Sequence, residues 1–156
     1  MTQQDEPEIV TVESVTTAVV HGTVPMTELT DFYDSSFHTL GRVLGEQGVT
    51  MVGPPFGLYL AEPTDTVELE VGFRTDRLIE TDGEAHASML PEGRVARVVH
   101  TGSYETLGES WGRLASWILH QGASPGGPMW EVYLTEPTPD ADPTAMQTEL
   151  NWRLAD

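Results

Sequence analysis

The residues best placed to do chemistry lie in one short run. MWEVYLT, residues 129–135, alternates so that Trp130, Val132 and Leu134 share one strand face while Met129, Glu131, Tyr133 and Thr135 share the other. Glu131 is then a mid-strand carboxylate beside an aromatic ring. A lone glutamate in a strand is ordinarily solvated or paired with an arginine. In an apolar central strand it would instead be desolvated, which is costly unless it protonates or something positive arrives. A bound cation is one such partner. Tyr59, Tyr133, Tyr104 and Trp111 supply rings for a cage, and each aromatic face stabilises a cation by about 0.5 to 2 kcal/mol. Ordinary core packing is the competing use of such rings, and it is the reading Trp111, Trp117, Trp130 and Trp152 favour when taken singly.

Other chemistries fail on spacing. Gly108-Glu109-Ser110-Trp111-Gly112 fits the G-x-S-x-G pattern of a nucleophile elbow. Ser110 falls inside a helical pattern, however, and no acid stands between it and His120, the only histidine after it. The five histidines form no i, i+4 pair and no H-x-x-H cluster, and there are no cysteines. No metal, no disulfide and no thiol nucleophile is therefore expected. The glycines at 126 and 127 lead into a strand rather than a helix, so they build no phosphate cradle. No cofactor is implied.

Charge narrows the partners. Twenty-five acidic residues stand against seven basic ones, giving a net charge of −18, and every basic residue is an arginine. Such a field repels phosphate backbones, so direct DNA binding is disfavoured, and it attracts cations within the screening length of about 8 Å. Acidity also serves solubility or a salty cytoplasm. The start, MTQQDEPEIV, has neither a basic nor an apolar signal region, and no apolar run reaches the roughly 20 residues of a membrane span. A cytoplasmic protein away from the membrane is expected.

The elements that position Glu131 emerge from an internal repeat. Shifting the chain by 74 positions aligns residues 33–63 with 107–137 without a gap. Ten of the 31 pairs are identical, where about two are expected by chance. Outside that block the offset becomes 79, so Val19-Val20-His21 matches Val98-Val99-His100 and Glu70-Val71-Gly72-Phe73-Arg74 matches Glu149-Leu150-Asn151-Trp152-Arg153. Five extra residues fall in each copy, in loops near Pro25 and in TPDADPTA. Glu131 is matched by Gly57 and Trp111 by Phe37. One copy thus carries a carboxylate where the other carries no side chain.

Each copy reads as a βαββ unit. A β-branched strand over 16–21 or 95–100 leads to a helix with apolar residues Tyr33, Phe37, Leu40 and Leu44, or Leu107, Trp111, Leu114 and Ile118. Thr106 and Glu109 predict a capping box, and Gln-Gly closes both helices with a left-handed glycine. Gly-Pro then turns the chain into a strand over 56–61 or 130–135, followed by a strand over 67–74 or 146–153. The expected fold is α+β. The tandem βαββ units form a pseudo-twofold antiparallel sheet with two main helices on one side and a ligand cavity at the junction. Residues 1–8 form an acidic tail, and 9–156 form a single domain with repeats at about 9–76 and about 84–156.

The run VVHTGSYETLGESWGRLASWILHQG, then GPMWEVYLTEP and later TELNWRL, resembles the GyrI-like small-molecule-binding domains. That family includes effector domains of multidrug-responsive transcription regulators and the gyrase inhibitory protein. The elements that carry the resemblance are His100, Gly102 and Tyr104, and Glu131 to Pro137. The resemblance implies a duplicated βαββ fold with a cavity where the repeats meet, a ligand-facing glutamate at Glu131, and aromatic walls. Ligand-binding residues are then Glu131, Tyr133, Tyr59, Tyr104, Trp111, Gly57 and Phe37, and the ligand is a planar aromatic, lipophilic cation. Within one subfamily the same cage hydrolyses cyclopropane-containing DNA-alkylating compounds. If the chain were such an enzyme, Glu131, Tyr104 and Trp111 would be catalytic. The third expectation is an acidic partner or inhibitor of DNA gyrase. A helix-turn-helix is not expected within these residues.

Overall fold

The computed structural model describes residues 6–60, 64–103, 106–135 and 143–155. These hold eight strands and two long helices, an α+β fold in which the strand pairings within each unit are antiparallel. The chain divides into two compact units, Ser14–Pro91 and Glu92–Asp156 joined by Met1–Glu13. No helix among the described residues is long and apolar enough to cross a membrane.

In the first unit β2 (Val15–Pro25), α1 (Leu29–Gln47), β3 (Met51–Tyr59), β4 (Thr66–Thr75) and β5 (Ala85–Leu90) build a sheet in the order β3-β4-β2-β5. Helix α1 covers one face. Leu40, Val43 and Leu44 pack on Ala18, Val20 and Ala85, and Phe32 and Phe37 lean on the same cluster. In the second unit β1 (Glu8–Val12), β6 (Gly93–Thr101), α2 (Leu107–His120), β7 (Pro125–Tyr133) and β8 (Gln147–Leu154) give the order β1-β6-β8-β7. Here Leu114 and Ile118 pack on Ala96, Val98, Leu150 and Leu154, with Trp111, Trp117 and Trp152 around them. Each fully buried aliphatic side chain contributes about 1.5–3 kcal/mol, so these helix faces hold the units together.

Several expectations change in detail. The outer strands β1 and β5 are absent from the sequence reading, and each pairs across the copy boundary. β1 precedes β2 yet pairs with β6, while β5 precedes β6 yet pairs with β2. The extra residues near Pro25 are not a loop. β2 runs to Pro25, a short 3-10 turn follows at Met26–Glu28, and α1 begins at Leu29, which makes α1 19 residues long against 14 for α2. TPDADPTA lies mostly outside the described residues. Gly-Pro does not precede a strand but sits within one: β3 and β7 begin at Met51 and Pro125, with irregular pairing up to Pro55 and Met129. The capping box is also absent. Thr106 has φ −99° and ψ 3° and makes no side-chain cap bond. The glycine closures are present, with Gly48 at φ 66° and Gly122 at φ 75°, left-handed positions that glycine adopts without a Cβ penalty.

Pairing also fixes which residues correspond. β3 and β7 pair alike: Gly57 faces Val71 and Tyr59 faces Leu69, while Glu131 faces Leu150 and Tyr133 faces Thr148. The first strands differ by one residue. Gly22 faces Leu69, whereas His100 faces Thr148. His100 therefore stands where Gly22 stands, not where His21 does. Because side-chain direction alternates along a strand, that single step turns the histidine toward the helix.

Candidate functional site

The second unit concentrates polar side chains on the face its helix covers. Glu131 lies mid-strand in β7, is only 5% exposed, and has the fully buried Leu150 beside it on β8. Two neutral donors reach its carboxylate. The Trp111 indole Nε1–H donates to Oε2 at 2.8 Å, and the Tyr133 hydroxyl donates to Oε1 at 2.9 Å. Hydrogen bonds to ionised groups are worth about 1.5–3 kcal/mol each, and donors aimed at a carboxylate favour its charged form.

Each partner is set by its element. Tyr133 is two residues along the same strand and so projects from the same face. Trp111 opens the second turn of α2 and makes an edge-to-face contact with Trp152, with ring centroids 5.7 Å apart and planes at 84°. That T-shaped contact points one ring edge at the other's face, a favoured aromatic geometry. Trp152 projects from β8 two residues beyond Leu150. The sheet thus carries both the carboxylate and the ring that steers its donor.

Residues singled out in the sequence fall as follows. Glu131, Tyr133 and Trp111 come together through the bonds above. Tyr104 lies outside the described residues. Gly57, Tyr59 and Phe37 belong to the first unit, where Phe37 packs on Phe73 with centroids 5.3 Å apart, the counterpart of Trp111 on Trp152. Tyr59 places its hydroxyl 3.4 Å from that of Tyr33. Gly57 is buried and adds no polar group to this cluster.

A second polar cluster was not expected. His100, 1% exposed, places Nδ1 2.6 Å from Ser110 Oγ, and Arg113 Nη2 donates to the same oxygen at 2.9 Å. Its Nε2 lies 3.0 Å from the Ser103 carbonyl oxygen and 3.1 Å from Thr106 Oγ1. A carbonyl only accepts, so Nε2 carries the proton and Nδ1 accepts from Ser110 in the neutral ring. The sequence argues against Ser110 as a nucleophile because it falls inside a helical pattern and no acid stands between it and His120. His100, its partner, lies ten residues before it, on the preceding strand. Ser110 is 1% exposed, and its hydroxyl is engaged by the imidazole and the guanidinium. Between His100 and Tyr133 on the same sheet face lies Thr148, fully buried, whose hydroxyl has no partner among the described residues. No three His, Asp or Glu side chains among the described residues converge so as to hold a metal ion.

Comparison with known proteins places the fold. The EcmrR C-terminal domain superposes with a TM-score of 0.84 at 16% identity, covering 96% of this chain and 97% of that one. EcmrR in complex with DNA gives 0.82 at 17% identity over 96% of this chain, which spans 57% of the longer protein. SAV2435 bound to tetraphenylphosphonium gives 0.67 at 12% identity, with 97% and 94% covered. A hydrolase from Listeria innocua gives 0.66 at 15%, with 96% and 92% covered. Similarities at these identities show the fold alone. No curated protein sequence matches the chain. The GyrI-like small molecule binding domain matches residues 5–154, nearly the whole sequence, and the chain accordingly belongs to the GyrI-like small-molecule-binding domain family.

Proposed function

We propose that the chain binds planar or propeller-shaped aromatic, lipophilic cations, with Glu131 as the counter-charge and Trp111 and Tyr133 as the groups that hold and flank it. The observation that carries this reading is a buried mid-strand carboxylate fixed by two neutral aromatic donors at 2.8 and 2.9 Å. Such a charge is preorganised: its orientation is set before a ligand arrives, so little ordering remains to be done on binding. The bound tetraphenylphosphonium of the similar SAV2435 fold supports the same ligand class. Sequestration or effector sensing of xenobiotics follows from such binding. Hydrolysis of a strained electrophile is the alternative use of these residues. It needs a carboxylate oxygen to take a proton from water, and both oxygens here already accept hydrogen bonds, which favours a fixed charge over a base.

Titration with tetraphenylphosphonium, followed by quenching of tryptophan fluorescence, tests the proposal. Saturable binding that weakens at least about thirtyfold in Glu131→Gln is expected, the loss typical of removing one partner of a desolvated charge pair. Unchanged affinity in the folded variant would refute the role of Glu131.

A further inference from the structure

The histidine and serine that lie beside Glu131's donor carry one more assignment, which rests on the cation-binding reading above. We infer that His100 is a positioning residue for the Glu131 site: through Ser110 it fixes the first turn of α2, and so holds Trp111 where its indole reaches the carboxylate. The link is direct. Ser110 Oγ lies 2.6 Å from His100 Nδ1, and the next residue is Trp111, whose Nε1–H donates to Glu131 Oε2 at 2.8 Å.

Three observations separate this from plain core packing. First, the fold does not need the latch. In the first unit Ser36 occupies the position matched to Ser110, is 2% exposed, and its hydroxyl has no partner among the described residues. Gly22 stands opposite, and a Cβ there would lie 2.5 Å from the Phe32 ring, so an aromatic ring fills the space that the imidazole fills in the other unit. α1 packs there through its apolar side chains, Leu40, Val43 and Leu44 with Phe32 and Phe37, and needs no such bond. Second, α2 starts without a side-chain cap. Thr106, the residue that would supply one, instead has its hydroxyl 3.0 Å from the Ser103 carbonyl oxygen and 3.1 Å from His100 Nε2. The imidazole thus gathers Ser103, Thr106 and Ser110 around the start of the helix and takes over what a cap would do. Third, the tautomer is determined. With Nε2–H directed at Ser103, only Nδ1 can accept, so the Ser110 proton has one direction and the helix turn one rotation.

The unit that holds the carboxylate is the unit that holds the latch. Phe37, the match of Trp111, has no indole N–H to aim and needs none. Orientation of Trp111 is worth fixing because a hydrogen bond to a buried carboxylate weakens steeply with angle and distance.

The test uses the full chain and reads two signals. One is the 1H–15N indole resonance of Trp111 in the free protein, which reports the bond to Glu131 whether or not ligand is present. The other is tetraphenylphosphonium affinity. Ser110→Ala, which removes both the bond to His100 Nδ1 and the one accepted from Arg113, is expected to shift the Trp111 indole resonance and to weaken binding about threefold to tenfold. His100→Asn, whose Oδ1 can still accept from Ser110, should retain more of both signals than His100→Leu. Ser36→Ala is the control and should move neither. A Ser110→Ala protein that loses thermal stability but keeps the Trp111 resonance and the affinity would show that the latch is structural only, and would overturn the assignment. Glu131→Gln keeps the failures apart. If it abolishes binding while Ser110→Ala changes nothing, the latch fails and the cation site stands. If it leaves binding unchanged, the cation site fails, and the Trp111 resonance alone still decides the latch.

Discussion

The two units share a plan and differ in polarity. Phe37 on Phe73 and Trp111 on Trp152 are the same aromatic contact at matched places, and β3 and β7 pair with their neighbours in the same register, irregularity included. Around that common frame the first unit places Gly57, Gly22, Leu69 and a Ser36 hydroxyl with no partner among the described residues. The second places Glu131, His100, Thr148 and a Ser110 hydroxyl bonded to the imidazole. At these matched positions small or apolar groups suffice in the first unit. The polar set is therefore an addition that packing at these positions does not require, and the proposed cation site gives it a use.

The largest effect that would break this comparison is at the carboxylate. Glu131→Gln removes the charge but keeps an acceptor, and should cost about 2–5 kcal/mol of cation affinity. Isothermal titration calorimetry measures it. Next come the matched tyrosines. Tyr133→Phe removes a hydroxyl bonded at 2.9 Å to the buried Glu131 carboxylate and should lower unfolding free energy by about 1.5–3 kcal/mol, whereas Tyr59→Phe removes a neutral hydroxyl 3.4 Å from that of Tyr33 and should cost less, about 0.5–1.5 kcal/mol. Equal losses in urea unfolding would erase the distinction between the units.

The matched serines give a smaller contrast. Ser110→Ala strands a buried imidazole nitrogen and should destabilise by about 1–2 kcal/mol. Ser36→Ala removes a buried hydroxyl that has no partner among the described residues, and alanine favours helix, so that variant should be neutral or slightly stabilising by about 0.5 kcal/mol. Smallest of all is the surface pair of His21 and Glu68, 3.0 Å apart with side chains 41% and 44% exposed. Glu68→Gln should change stability by less than about 0.5 kcal/mol, and 0.5 M salt should remove what difference there is.

Much of this was readable in the chain, for reasons that can be named. The helices and their Gln-Gly ends follow from periodicity and from the need for a left-handed glycine, both local. Glu131 and Tyr133 sharing a face follows from strand alternation. The outer strands β1 and β5 were missed because each pairs with a segment from the other copy, which local pattern does not encode. The one-residue step that turns His100 inward was also invisible, since aligning His21 with His100 is the better sequence match while the sheet pairs otherwise. Thr106 was read as a cap because its spacing to Glu109 fits, but the imidazole competes for its hydroxyl. The bond from Trp111 to Glu131 needs the helix docked on the sheet. Spacing alone favoured ordinary packing for that ring.

The central claim is that one buried charge, not greasy volume, selects the ligand. Tetraphenylphosphonium and tetraphenylborate have nearly the same shape and opposite charge, so their affinities isolate that term. Measured in 0.15 M salt, where the diffuse surface charge is screened beyond about 8 Å, the cation should bind at least about a hundredfold tighter than the anion. Most of that preference should vanish in Glu131→Gln. Equal affinity for the two ions, or a preference that survives the substitution intact, would contradict the account.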